Sequence, residues 1–195
     1  MANARLTIPV LSTLLAAALA IAASGSLAGC GGGTSGSGGG GGGSSCGLKS
    51  DGCFDYTCFT ADSPTVSFKT DVLPILRTSC GLSASCHGSE SGPAGQHYLG
   101  PKNSDPAPTT AQIQMIFDQW VGQTPVVNAG MNLISPKDPE HSFFMYKLDG
   151  LSCSKLTCSS DKSCLALMPQ GNTEPMDAAK RDVFRHWIAQ GAKND

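Results

Sequence analysis

Apolar residues recur at helical spacing in four segments of the chain, which are separated by long polar stretches rich in glycine and proline. The clearest segment has apolar residues at i, i+3, i+4, i+7 and i+8, which is typical of an amphipathic helix. No segment of any length alternates apolar and polar residues as a half-buried strand does. The apolar positions of the four segments are Phe68, Val72, Ile75 and Leu76; Ile113, Ile116, Phe117, Trp120 and Val121; Phe143, Phe144, Tyr146 and Leu148; and Val183, Phe184, Trp187 and Ile188. The pattern predicts a mostly α domain of short helices with long loops.

Residues that cap helices stand at the ends of these segments. The predicted N-caps of the first three helices are Ser67 or Thr70, Thr110 and Ser142. The last helix is expected to begin after Asp177 and to stop at Gly191. Pro74 is expected in the first turn of the first helix, where its missing N–H needs no acceptor.

The N-terminal residues resemble a bacterial lipoprotein signal. Arg5 precedes an apolar run from Leu11 to Ala23, and the small residues of Leu27-Ala-Gly stand directly before Cys30. The apolar run is shorter than the roughly 20 residues that a membrane-spanning helix needs. We therefore predict that residues 1–29 are removed and that Cys30 carries lipid chains that hold the protein on a membrane. An ordinary secretory peptide or a transmembrane anchor is the alternative.

The remaining chain divides into three parts by composition. Residues 30–45 comprise Cys30 and a Gly/Ser-rich tether, which is flexible and has a reach of about 20 Å. Residues 46–62 form a cysteine-containing lead-in segment, too short to be a domain. Residues 63–195, roughly 130 in number, suffice for one hydrophobic core and are predicted to be the folded domain.

Charge and motifs exclude several classes of function. Loss of Arg5 with the signal lowers the number of Lys and Arg residues from 13 to 12 against 15 acidic residues, so the mature chain has a net charge near −3. No cluster of basic residues suggests a nucleic-acid partner. The stretch 88–92 has a G-x-S-x-G-like pattern but lacks the strand and helix that a hydrolase needs around it. The chain is predicted not to be an enzyme.

Eight of the nine cysteines remain once Cys30 is set aside, and an even number in an exported chain predicts disulfide bonds. Three of the eight lie in the lead-in segment, so at least one of those must pair outside it. The eight are Cys46, Cys53, Cys58, Cys80, Cys86, Cys153, Cys158 and Cys164.

The segment from Cys80 to His87 has the order of residues that attaches haem covalently, because a cysteine directly precedes a histidine and a second cysteine lies upstream. The usual spacing has two residues between the cysteines, whereas five separate Cys80 from Cys86. Four of the five are small and could loop outward. A Cys80–Cys86 disulfide without haem would also explain the pair, and a single thioether at Cys86 is a third option. Two thioethers would leave six cysteines for three disulfides.

Taken in order, four sequence pieces resemble c-type cytochromes, and more closely the single-haem domains of exported planctomycete and myxobacterial proteins. They span nearly all of residues 66–195. The pieces are Phe68-Lys-Thr-Asp-Val-Leu-Pro-Ile-Leu, Cys86-His87-Gly88, Met168-Pro169 and Trp187-Ile-Ala-Gln-Gly-Ala.

This resemblance implies a cytochrome c-like bundle of short helices, stabilised by disulfides, with its last helix against its first. It implies one haem c, held by Cys80 and Cys86 and ligated through iron by His87 and Met168. Met168 is favoured over two rival methionines because Pro169 stiffens its loop and because its order in the chain matches. The rivals are Met131 and Met176, and the other histidines, His97, His141 and His186, are predicted to be surface or loop residues.

The function implied is that of a membrane-anchored c-type cytochrome lipoprotein in the periplasm or cell envelope. It would carry single electrons to or from an extracytoplasmic redox partner protein and would contact the lipid membrane through acylated Cys30. The alternative is a haem-free, disulfide-stapled envelope lipoprotein with the same helical scaffold, acting in binding or structure. A haem enzyme is disfavoured because no acid–base pair is visible.

Overall fold

The computed structural model describes residues 46–62, 64–92, 96–127, 129–150, 152–158, 164–172 and 174–195. The predicted signal peptide, Cys30 and the tether lie outside the described residues. The helices are a π-helical turn at Phe68–Val72, α1 at Leu73–Ser79, α2 at Thr110–Trp120, α3 at Phe143–Asp149 and α4 at Ala178–Ala189. Long loops join them, and the described residues form isolated β-bridges but no sheet. The prediction of short helices with long loops is therefore confirmed. None of these helices is long and apolar enough to cross a membrane.

The first predicted helix is continuous but changes its pitch. Ser67 caps it by accepting a hydrogen bond from the Thr70 N–H at 3.4 Å, and five π-helical residues precede α1. Pro74 lies in the first turn of α1, directly after this wider turn. A proline ring inside a regular helix would clash with the carbonyl four residues earlier, so the π-helical turn gives the ring room.

Capping at α2 differs from the prediction by one residue. The Thr109 hydroxyl accepts the Gln112 N–H at 3.3 Å, and the Gln112 side chain accepts the Thr109 N–H at 2.9 Å. The predicted cap, Thr110, was wrong because only Thr109 stands three residues before a glutamine that can complete this capping box.

The third helix has its predicted N-cap residue without the predicted cap hydrogen bond. Ser142 directs its hydroxyl to the preceding loop, where it donates to the Asp138 carbonyl at 2.8 Å and accepts the Ser135 N–H at 2.9 Å. The fourth helix begins directly after Asp177 as predicted, and the Asp177 carboxylate caps it by accepting from the N–H groups of Ala179 and Lys180.

Aromatic rings join the helices into one core. Trp120 of α2 stacks on Trp187 of α4, with ring centroids 5.4 Å apart and an interplanar angle of 27°. Phe68 of the π-helical turn lies 5.5 Å from Trp187, and Phe144 of α3 meets Trp120 edge-on at 4.7 Å. Aromatic pairs of this kind stabilise a fold beyond the apolar area that they bury. The last helix therefore packs against the start of the first.

Three disulfides confirm that the fold is disulfide-stabilised. Cys46 pairs with Cys58 within the lead-in segment, and Cys158 pairs with Cys164 in the loop before α4. Cys53 pairs with Cys153, which lies 100 residues away in the sequence. In the chain-entropy model, closing a loop of that length stabilises the folded state by about 4–5 kcal/mol.

A buried cluster of charges holds the lead-in segment against the helices. The Asp149 carboxylate accepts hydrogen bonds from Tyr56 at 2.7 Å, from Arg181 at 2.6 Å and from Arg185. The Arg185 guanidinium also lies 3.7 Å from the centroid of the Phe54 ring. Burial and the Asp149 charge raise the pKa of Tyr56 well above its usual range, so the phenol remains a donor.

Replacing Asp149 with asparagine removes the charge that the buried Arg185 and the half-buried Arg181 guanidinium groups face. We expect Asp149→Asn to lower the free energy of unfolding by about 3–5 kcal/mol, measured by urea unfolding without reductant. The matched control is Glu140→Gln, which loses an exposed ion pair with Lys155 at 3.3 Å and should cost less than about 1 kcal/mol. Equal effects of the two substitutions would contradict this assignment.

Candidate functional site

The segment from Cys80 to Gly88 turns back on itself after α1. The His87 N–H donates to the Cys80 carbonyl at 3.0 Å, so the two ends of the motif meet. The Gly88 N–H donates to the Ser83 carbonyl at 3.0 Å and closes the turn further. A Cβ atom at Gly88 would lie 2.7 Å from the Gly81 carbonyl oxygen, so only glycine fits there. Of the five residues between Cys80 and Cys86, Leu82, Ala84 and Ser85 are exposed.

All four residues predicted to hold the haem line one cavity of about 230 Å³: Cys80, Cys86, His87 and Met168. A single water needs only about 10–15 Å³ measured in the same way, so the cavity is of ligand size. Its apolar wall includes Leu99, Trp120, Leu133, Phe143 and Phe144. The structure therefore brings the predicted site residues together beside the aromatic core.

His87 is held with one ring nitrogen available for a ligand bond. Its Nδ1 lies 2.7 Å from the His97 carbonyl oxygen, and since a carbonyl can only accept, Nδ1 carries the proton and donates. The proton on Nδ1 leaves a lone pair on Nε2. Burial lowers the pKa of His87, which favours the neutral imidazole.

The described cysteines outside this cavity are all disulfide-bonded, whereas Cys80 and Cys86 are unpaired thiols. Burial, with a contribution from Cys86, raises the pKa of Cys80 to about 12. Disulfide exchange and metal binding use a thiolate, and reactive cysteines have lowered pKa values. Cys80 therefore does not have the properties of a redox-active cysteine. Among the described residues, no group of three or more His, Cys, Asp or Glu side chains could hold a metal ion.

Met168 lies in the loop that follows the Cys158–Cys164 disulfide. Its N–H donates to the Lys147 carbonyl of α3 at 2.8 Å, and the peptide bond to Pro169 is cis. Of the methionines that the structure describes, Met168 alone lines the cavity. Met131 is half-buried against the core, and Met176 is buried within it.

The other histidines differ in their surroundings. His97 is half-buried and lines the cavity, in addition to accepting the His87 hydrogen bond. His141 is exposed as predicted and pairs with Asp138 at 2.8 Å. The prediction of a surface or loop position was wrong for His186, which lies in α4 and packs its ring 4.9 Å from Phe59.

Sequence reasoning also missed Lys147, which lines the cavity although only 7% of its surface is exposed. Burial lowers the pKa of its ammonium group to about 8. A signal was present in the sequence, because α3 reads FFMYKLD and a helix that is apolar almost all round must bury any charge that it contains.

Exposed apolar side chains border the cavity. Leu82, Val126 and Leu165 line it and are 54%, 73% and 61% exposed, and Leu48 is the one other large apolar side chain in the described residues that is exposed. The cavity therefore has an apolar rim (Leu82, Val126 and Leu165).

Comparisons with protein-family models, curated proteins and solved structures give no match to this chain.

Thiol mapping tests the pairing of cysteines. After alkylation in denaturant without reductant, peptide mass spectrometry of haem-free chain should find the Cys46–Cys58, Cys53–Cys153 and Cys158–Cys164 links. Cys80 and Cys86 should both carry the alkyl group. In the folded protein, Cys86 should react faster than Cys80, because burial keeps Cys80 protonated. A peptide linked through Cys80 and Cys86 would contradict the pairing.

Proposed function

We propose that this chain is a membrane-anchored c-type cytochrome lipoprotein that carries single electrons through one covalently attached haem. The observation that carries the proposal is that the two cysteines in the cavity are not in disulfide bonds. The unpaired thiols Cys80 and Cys86 line the same apolar cavity as His87 and Met168, and the other described cysteines form disulfides.

The chemistry of the lining residues fits a haem. A neutral imidazole and a thioether are the two axial ligands found in electron-transferring c-type cytochromes, and two thiols can form thioethers with the ring. Apolar side chains such as Trp120 and Phe144 suit the face of a large planar group. When bound, the haem would supply a one-electron couple.

Side chains of the protein would hold the haem and set its reduction potential. The hydrogen bond from His87 Nδ1 to the His97 carbonyl fixes the plane of the imidazole and makes Nε2 a stronger ligand. The Met168 thioether would raise the reduction potential relative to a second imidazole. The apolar wall excludes water, which reduces the solvent exposure of the site.

The apolar rim suits brief contact with an extracytoplasmic redox partner protein. Exposed apolar side chains around a cavity are typical of interaction sites. A tether from acylated Cys30 would keep the domain near the membrane and leave it able to reorient. Disulfide bonds agree with an oxidising compartment outside the cytoplasm.

A second candidate is a haem-free binding lipoprotein. The closed turn from Cys80 to Gly88 favours it, because hydrogen bonds within the chain hold the motif without any cofactor. The apolar cavity would then take an apolar small molecule, and its two thiols would have no part in binding.

Haem attachment separates the two candidates. The full chain, expressed with its own signal and with cytochrome maturation proteins, should give a haem-stained band on a denaturing gel and a reduced-minus-oxidised spectrum of a c-type haem. The Cys80→Ser, Cys86→Ser double variant should lose the stained band, because no thiol remains to form a thioether. A colourless wild-type protein would reject the cytochrome proposal in favour of the binding lipoprotein.

A methionine series tests the second axial ligand. We expect Met168→Leu to abolish the Met–iron charge-transfer band and to lower the reduction potential, because leucine keeps the apolar volume but has no sulfur. Met131→Leu and Met176→Leu are matched controls outside the cavity and should keep both properties. Loss of the band in either control, with the band intact in Met168→Leu, would reassign the ligand.

A further inference from the structure

Lys147 is a buried cation in the wall of an apolar cavity. It projects from α3 beside Phe143, with its Nζ 5.8 Å from the centroid of that ring. The ion pairs among the described residues involve other lysines and arginines, so no described carboxylate balances the charge of Lys147. A methionine or leucine would fill the same volume of an apolar helix without desolvating a charge. The lysine therefore needs an explanation other than packing.

Three hydrogen bonds join Lys147 to the loop that carries Met168. Its ammonium group donates to the Cys164 carbonyl at 3.0 Å and to the Ala166 carbonyl. Its own carbonyl accepts the Met168 N–H at 2.8 Å. One residue of α3 is thus hydrogen-bonded to three positions within residues 164–168.

Burial alone does not fix this loop. Residues 164–168 have no regular secondary structure, and each of them is half-buried or exposed. Charged hydrogen bonds from a rigid helix are stronger than neutral ones, and they are stronger still in an apolar surrounding. The ammonium group can therefore position a segment that packing leaves loosely held.

Lys147 also lines the same cavity as His87 and Met168. A change at Lys147 therefore acts in the cavity that both predicted ligands line.

We propose that Lys147 is a positioning residue that holds the Met168 loop at the cavity through its ammonium hydrogen bonds to the Cys164 and Ala166 carbonyls. This inference rests on the proposed function, since Met168 matters as a ligand only if haem is bound. The hydrogen bonds themselves do not depend on haem.

The test compares wild-type, Lys147→Met and Lys155→Met in the full haem-loaded chain. Methionine has a similar length and no donor, and Lys155 is an exposed lysine whose ammonium group pairs with the Glu140 side chain. All three proteins should keep covalent haem, because Cys80 and Cys86 are unchanged.

Lys147→Met should bind added imidazole at least about tenfold more tightly in the ferric state, since a loosened Met168 competes less well. Its Met–iron charge-transfer band should weaken, and both properties should be unchanged in Lys155→Met.

Hydrogen exchange gives a second readout that does not require haem. In Lys147→Met the Met168 amide should exchange at least about tenfold faster than in wild-type, while amides of α4 such as Phe184 keep their rates. If Lys147→Met does not fold, Lys147→Gln, whose shorter side chain loses the ammonium, is measured in the same way and should show the same local increase. Unchanged exchange at Met168 and unchanged imidazole affinity in a folded variant would overturn the proposal. A wild-type chain without haem would instead overturn the proposed function, and hydrogen exchange would still decide the role of Lys147.

Discussion

The stack of Trp120 on Trp187 is the contact on which the rest of this structure depends. It joins α2 to α4 through two large side chains, and Phe68 and Phe144 add the π-helical turn and α3 to the same cluster. Trp120 also lines the cavity, so the core and the candidate site share a wall. Because the helices are short, a few aromatic contacts of this kind hold them against one another.

The loops outside the aromatic core are held by other interactions, because short helices offer too little apolar surface to cover them. These interactions are the disulfides and one buried cluster of charges. The Cys53–Cys153 bond and the contacts of Asp149 with Tyr56 and Arg185 fasten the lead-in segment to α3 and α4. Without Asp149, the buried Arg185 guanidinium would keep only the partly exposed Asp182 as a carboxylate partner among the described residues, so the cluster depends on Asp149.

The sequence predicts the helices well, but it predicts the disulfide partners and the cavity-lining residues poorly, for a physical reason. Helical periodicity reports which face is buried, and capping residues report where a helix starts, so the four segments were found and Thr109 was missed by only one residue. Disulfide partners depend on distances across the fold that no local pattern records. The positions of His97 and Lys147 in the cavity wall also depend on contacts across the fold, which helical periodicity does not report. In the sequence, the proline that follows Met168 and the order of residues in the chain distinguish Met168 from Met131 and Met176.

The wide spacing of Cys80 and Cys86 is the main departure from the usual attachment motif, and the fold changes what that spacing means. A rule on intervening residues is a rule about distance along the chain, whereas thioether formation would depend on distance in space. The hydrogen bond from the His87 N–H to the Cys80 carbonyl brings the end of the motif back to its beginning, and three of the five residues between the cysteines are exposed. The insertion therefore lengthens the loop without separating its ends. The five-residue spacing therefore does not by itself count against the attachment at both cysteines that is proposed above. The two unpaired thiols remain the part of the cavity that a haem-free function leaves unexplained.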